Sequence, residues 1–205
     1  MLVKRTNLPP KQAELRNKIL DAAIETFIEY GFYKTGMLDI SKRIDIAVGT
    51  IYTYFINKDD LILEAINKIV GTILTEAQIR IKYITNPLEK IVTFLSANLE
   101  VLYKRKDWGK LLAFEMYVVP QNLLMSPDHS IFATYVHKLE ELIKEAIAKG
   151  YIKEQNTRLM ALHCLGSIDF LNRSWVVYDY KIDFKKDKEQ VLDLILKGLL
   201  KRELF

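Results

Sequence analysis

From Ile46 to Leu61 the chain reads Ile-Ala-Val-Gly-Thr-Ile-Tyr-Thr-Tyr-Phe-Ile-Asn-Lys-Asp-Asp-Leu, with tyrosines, threonines and a lysine set around a short apolar core. Hydroxyls and a cation on a short helix are the groups that hydrogen-bond phosphate oxygens and set a protein's register on duplex DNA. Ile51 and Phe55 stand four apart and share an inner face. Val48 and Tyr52 are also four apart, so they share a different face, one able to enter a major groove. Gly49 lets a backbone approach closely, and Thr53 adjoins that face. Thr50 and Tyr54 offer hydroxyls to phosphate, and Lys58 offers a cation beside a helix N-terminus, itself a good phosphate site. The same residue types also suit a packed or solvated surface, so the surrounding elements must decide.

Those elements are helices. Leu20, Ala23, Ile24, Phe27 and Ile28 form an apolar stripe between Pro9-Pro10 and Gly31, which predicts a first helix over 11–30. A short helix follows Thr35 and carries Leu38, Ile40 and Ser41. A turn at 44–46 and a second short helix over 47–54 complete a helix-turn-helix, with Phe27, Ile40, Ile51 and Phe55 as its shared core. Asn57 caps the next start, Asp59 and Asp60 place negative charge in its first turn, and Ile56 can staple onto Leu61. That fourth helix extends to about Ile81. Asn86-Pro87 opens a helix to about Lys104, and Asp107-Trp108 opens a further segment that weakens by Pro120. Ser126-Pro127 starts a helix ending at Gly150, Asn156 or Thr157 one reaching about Tyr180, and the last runs over 187–201. The expected fold class is all-α, with about nine helices, a DNA-binding unit over 1–60 and a ligand-binding and dimerising unit over 61–205.

The chain has 205 residues, half of them hydrophobic, so a sizeable core can form. Net charge is +4, and residues 1–58 carry nine Lys/Arg against six Asp/Glu. The excess gathers in Lys4, Arg5, Lys11, Arg16 and Lys18 against Glu14, a basic arm suited to a polyanion. No apolar run is long enough to span a bilayer, and neither a membrane span nor a secretion signal is expected. The single cysteine, Cys164, fits a reducing cytoplasm.

Several motifs together resemble the tetracycline-repressor-type (TetR) family of transcriptional regulators. They are Ile19-Leu20-Asp21-Ala22-Ala23, Phe27, Tyr30-Gly31-Phe32, Thr35, Ile40, Gly49-Thr50-Ile51-Tyr52-Thr53-Tyr54-Phe55 and Asn57-Lys58-Asp59-Asp60-Leu61. The resemblance implies that Val48, Gly49, Tyr52 and Thr53 read bases, while Thr35, Thr50, Tyr54 and Lys58 hold phosphates. It also implies a homodimer on a palindromic operator and release by a small molecule held in the second unit. Two departures stand out. Asp45 occupies the turn where the family has glycine, and Ala47 replaces a capping serine or threonine. The reading helix also lacks arginine, lysine, asparagine and glutamine, so it offers no strong bidentate base contacts, and specificity must come from van der Waals contact with thymine methyls, tyrosine, the N-terminal arm or DNA shape.

In the second unit, Leu159, Leu162, Leu165, Ile168, Leu171 and Trp175 form one broad stripe; Val191, Leu194, Ile195, Leu199 and Leu200 form another. Helices apolar over so much of their circumference need several partners, which a symmetric four-helix interface would supply. Candidate ligand residues are Phe94, Leu95, Asn98, Leu102, Trp108, Leu111, Phe114, Tyr117 and Arg173, an apolar set with few polar points. A narrower resemblance joins 49–58, Ile143 to Ile152 and Gly166-Ser167-Ile168-Asp169 to the fatty-acid-degradation regulators of the family. It implies a long-chain acyl-coenzyme A effector; a multidrug or aromatic effector is the rival. The cations such a ligand needs are candidates only, among Lys104, Arg105, Lys106, Lys110 and Arg173.

His129, His137 and His163 form no metal-ligand spacing, so no metal and no cofactor are expected. His163 beside Cys164 reads as a core pair, and no nucleophile elbow, phosphate loop or dinucleotide fingerprint exists, which leaves an enzyme without support. The competing reading is a helical ligand-binding module without DNA binding.

Overall fold

The computed structural model describes residues 8–115, 117–119, 130–176, 181 and 183–199. Among them are nine helices and no sheet: α1 Pro10–Tyr30, α2 Met37–Arg43, α3 Val48–Tyr52, α4 Lys58–Ile81, α5 Pro87–Lys104, α6 Lys106–Glu115, α7 Ile131–Ala148, α8 Thr157–Val176 and α9 Phe184–Leu199. Lys4, Arg5 and His129, the start at Ser126, and the helix ends expected near Tyr180 and Lys201 all lie outside the described residues.

Local chemistry sets most boundaries. Proline opens α1 and α5, where a missing N–H costs nothing. Asn57 Oδ1 accepts from Asp60 N at 2.8 Å, and Asp60 Oδ2 accepts from Ile56 N at 2.9 Å. This reciprocal cap fixes the entry to α4, and Ile56, just ahead of it, is half exposed. Asn86, Ser130 and Asn156 cap α5, α7 and α8 from one side only, each side-chain oxygen accepting a backbone N–H of the first turn. The last helix begins at Phe184, earlier than expected, because Asp183 Oδ1 already receives Lys186 N.

α1, α2 and α3 enclose a small core of Phe27, Ile40, Ile51 and Phe55, each no more than 1 % exposed. α4 closes this core with its first turns and runs on into the second half. It packs there against α5 and α7, while α8 packs across α5, α6 and α7. Burial of Leu61, Ile62, Ala65, Ile66, Ile69, Ile73 and Ala77 makes α4 common to both halves. Arg16 to Glu64 at 2.6 Å fastens α1 to α4, and α6 also packs against α1. Asn67 Oδ1 receives the Ile131 N–H at 2.9 Å, so the start of α7 is held directly by α4.

Candidate functional site

The turn between α2 and α3 depends on Asp45, the one non-glycine residue at positive φ (52°) among the described residues. Aspartate tolerates that left-handed conformation better than most side chains, so the turn survives without glycine. Ala47 leaves α3 with no side-chain cap, as its sequence implied. With Ile51 and Phe55 buried, α3 turns Gly49 and Tyr52 outward; Tyr52 is half exposed. Nothing lies within 4 Å of where a Cβ on Gly49 would stand. Val48 and Tyr54 are half-buried against the core, and Thr50 is half-buried beside them. Thr53 Oγ1 donates to Thr50 O at 2.7 Å.

Two residues expected at phosphates face the protein. Thr35 is buried, and its hydroxyl donates to Gly31 O at 2.8 Å. Lys58 Nζ donates to Phe32 O at 2.8 Å and Thr35 O at 3.0 Å, and lies 4.3 Å above the Phe32 ring. Its stem reaches across the loop between α1 and α2, so its ammonium ties that loop to α4. An ammonium has three donors, and two are engaged here. The spacing of Lys58 in the sequence gave no sign of this, because its acceptors lie 23 and 26 residues away. Exposed cations beside the helix pair include Lys34 and Lys42, and the ring of Tyr33, which precedes Lys34, is exposed.

A cavity of about 390 Å³ lies between α4, α5, α6, α7 and α8. Of the expected ligand residues, Asn98, Leu102 and Tyr117 line it. Phe94, Leu95, Trp108 and Leu111 are packed in the core behind it, and Phe114 is exposed away from it. Arg173 stands next to the wall: its Nε donates to Asp169 Oδ2 at 2.9 Å, and its guanidinium covers the Tyr117 ring at 4.5 Å. Arg173 Nη2 is buried without a partner. Lys104, Arg105, Lys106 and Lys110 are absent from the wall; Arg105 instead pairs with Asp107 and covers Trp108.

The sequence reading missed Val70 and Ile73 from α4, Phe132 and Tyr135 from α7, and the α8 face bearing Leu165, Ile168, Asp169 and Asn172. The available signal was Asn172, a polar residue inside an apolar stripe. It is 1 % exposed, and its Nδ2 donates to Gly109 O at 3.2 Å. The stripe on α8 is in fact two faces. Leu165 and Ile168 point inward, while Leu159 is 66 % exposed, as is Phe170 outside the stripe; on α9, Leu194 is 68 % exposed.

His163 and Cys164 do not form the expected core pair: His163 is exposed and only Cys164 is buried. Burial pushes the thiol up to about 12, which keeps it protonated. Among the described residues, no group of His, Cys, Asp and Glu is placed to hold a metal, and no helix is long and apolar enough to cross a membrane.

Comparison with known proteins agrees with this geometry. The family model for bacterial regulatory proteins of the tetR family matches residues 19–65, and that for the C-terminal region of YsiA-like proteins matches residues 66–198. A fatty acid metabolism regulator protein of Bacillus subtilis is 29 % identical over 184 residues, 89 % of this chain and 94 % of that one. The structure of the fatty acid degradation regulator FadR from Bacillus halodurans superposes with a TM-score of 0.81 at 26 % identity, covering 96 % of this chain and all of that one. FadR from Bacillus subtilis, solved in complex with stearoyl-CoA, gives 0.78 at 28 % identity, covering 89 % and 98 %.

Proposed function

This chain belongs to the tetR family of bacterial regulatory proteins and is a DNA-binding transcriptional regulator, and we propose that it is a cytoplasmic repressor released from a palindromic operator by a long-chain acyl-coenzyme A. The observation that carries the effector reading is the largely apolar cavity wrapped by α4 to α8, within the 300–1,000 Å³ range of small-molecule sites. The likeness to a FadR solved with stearoyl-CoA supports the same ligand class. Arg173, with one nitrogen unpartnered beside the wall, is the residue we assign to an anionic part of the ligand.

In this reading residues 1–60 bind DNA and residues 61–205 bind effector and dimerise. Val48, Gly49, Tyr52 and Thr53 meet bases. Thr50 and Tyr54, with the exposed Lys34 and Lys42, meet phosphates. With no long polar side chain on α3, specificity rests on apolar contact with thymine methyls, the tyrosine hydroxyl and DNA shape. The exposed apolar residues Leu159 and Phe170 of α8 and Leu194 of α9 support a two-fold four-helix interface. Two copies then set two reading helices at a spacing matched to a palindrome.

The cavity and the reading helix share α4 as a wall and a support. A ligand that prefers one tilt of α4 shifts the population of DNA-competent dimers; a differential of about 3 kcal/mol changes affinity by over a hundredfold. Fluorescence anisotropy with the DNA upstream of its own gene tests this. Binding should weaken steeply with rising salt, and stearoyl-CoA should release the DNA. Tight, salt-sensitive binding that no acyl-coenzyme A relieves would refute the effector assignment and leave the DNA reading intact.

A further inference from the structure

We propose that the cavity prefers a hydroxylated acyl chain to a plain hydrocarbon one, reading the hydroxyl with the Asn98 amide and the Tyr135 phenol. This rests on the acyl-coenzyme A reading of the same cavity and narrows it.

Within this largely apolar wall stand a few polar groups that a hydrocarbon would leave unmatched. Asn98 Nδ2 donates to Tyr135 Oη at 3.2 Å, and both residues line the cavity. Asn98 Oδ1 is buried and has no hydrogen-bond partner. With its oxygen occupied as an acceptor, Tyr135 retains an O–H proton to donate. Burial raises its pKa, so the phenol stays neutral. Tyr135 is 2 % exposed, and its ring rests on Phe94 at 4.8 Å between centroids, which fixes where the hydroxyl points. A second unpartnered acceptor on the wall, Asn172 Oδ1, belongs to an amide already anchored to the Gly109 carbonyl.

A hydroxyl accepts and donates at once. Set between Tyr135 Oη and Asn98 Oδ1, it would accept the phenol proton and donate to the amide oxygen, closing the network. It would serve equally with the amide turned the other way, because it would then accept from the amide nitrogen. A methylene does neither, and it expels whatever water had satisfied the pair. Buried polar groups left unmatched in this way discriminate strongly against the ligand that lacks the matching group.

The test is isothermal titration of the full-length, delipidated protein with palmitoyl-CoA and with equal-length acyl-CoAs bearing a hydroxyl at the β-carbon, mid-chain or the ω-end. At one position at least, the hydroxyl should tighten binding about tenfold or more over palmitoyl-CoA. Tyr135→Phe and Asn98→Leu should each bring that ratio close to one. Tyr135→Phe removes a single oxygen, and its melting temperature reports that the fold is kept. If palmitoyl-CoA binds as tightly as every hydroxylated chain, the inference falls and the acyl-coenzyme A reading stands. If the variants weaken all ligands alike, the pair serves the amides of the pantetheine arm and the inference falls. If no acyl-coenzyme A binds, both readings fall together.

Discussion

Lys58 is the sharpest place to test the helix-turn-helix geometry, because two roles for its ammonium predict opposite results. The structure has Nζ donating to Phe32 O at 2.8 Å and to Thr35 O at 3.0 Å, over the Phe32 ring at 4.3 Å. Hydrogen bonds to a charged group contribute about 1.5–3 kcal/mol, and the cation–π contact about 0.5–1 kcal/mol. The site is part-buried, so water recovers some of this on truncation. A net loss of about 2–3 kcal/mol is reasonable for Lys58→Ala. For a chain of this size that lowers Tm by about 4–12 °C. Lys58→Met keeps most of the stem and should lose nearly as much, because the donor is what matters. Calorimetry gives Tm, and operator binding across a salt series, well below melting, gives the number of phosphates neutralised. The expected result is a lower Tm in both variants with the parent's salt slope. A Tm within a degree of the parent, with a slope reduced by about one, would put the ammonium on DNA and refute the argument.

Other residues give independent checks. Asp45→Val should destabilise by about 1–2 kcal/mol in urea unfolding, whereas Asp45→Gly should stay within a few tenths, because the turn needs φ 52°. Burial would raise the Glu100 carboxyl, but hydrogen bonds from Lys188, Arg80 and Ser96 outweigh it and hold the group at about 2, against an ordinary value of 4.5. Its contribution is therefore complete above about pH 4.5 and lost as pH falls towards 2. The stability difference between parent and Glu100→Gln should vanish across that window in acid unfolding. Gly109→Ala would set a Cβ 2.7 Å from Asn172 Oδ1, which should cost about 1–3 kcal/mol. Adding Asn172→Ala should recover part of that loss in a double-mutant cycle. Phe170→Glu and Leu194→Glu should yield single-copy particles in sedimentation and abolish operator binding if the α8 and α9 faces pair across a two-fold.

Helical periodicity, proline starts and Asn caps fixed α1, α4 and α5 from local sequence alone, because those signals act within a few residues. The inner face of the helix-turn-helix was equally legible: Ile51 and Phe55 are four apart and both are buried. The direction of Lys58 was not, since its acceptors come from a loop that only folding brings beside α4. In the second half the sequence marked the apolar residues without sorting them. Phe94 and Leu111 became core, Leu165 and Ile168 cavity wall, and Leu159 an outer face. Hydrophobicity says that a side chain leaves water. Which neighbour it meets depends on how α5 to α8 cross, and the Asn98–Tyr135 pair, 37 residues apart in the chain, exists only through that crossing.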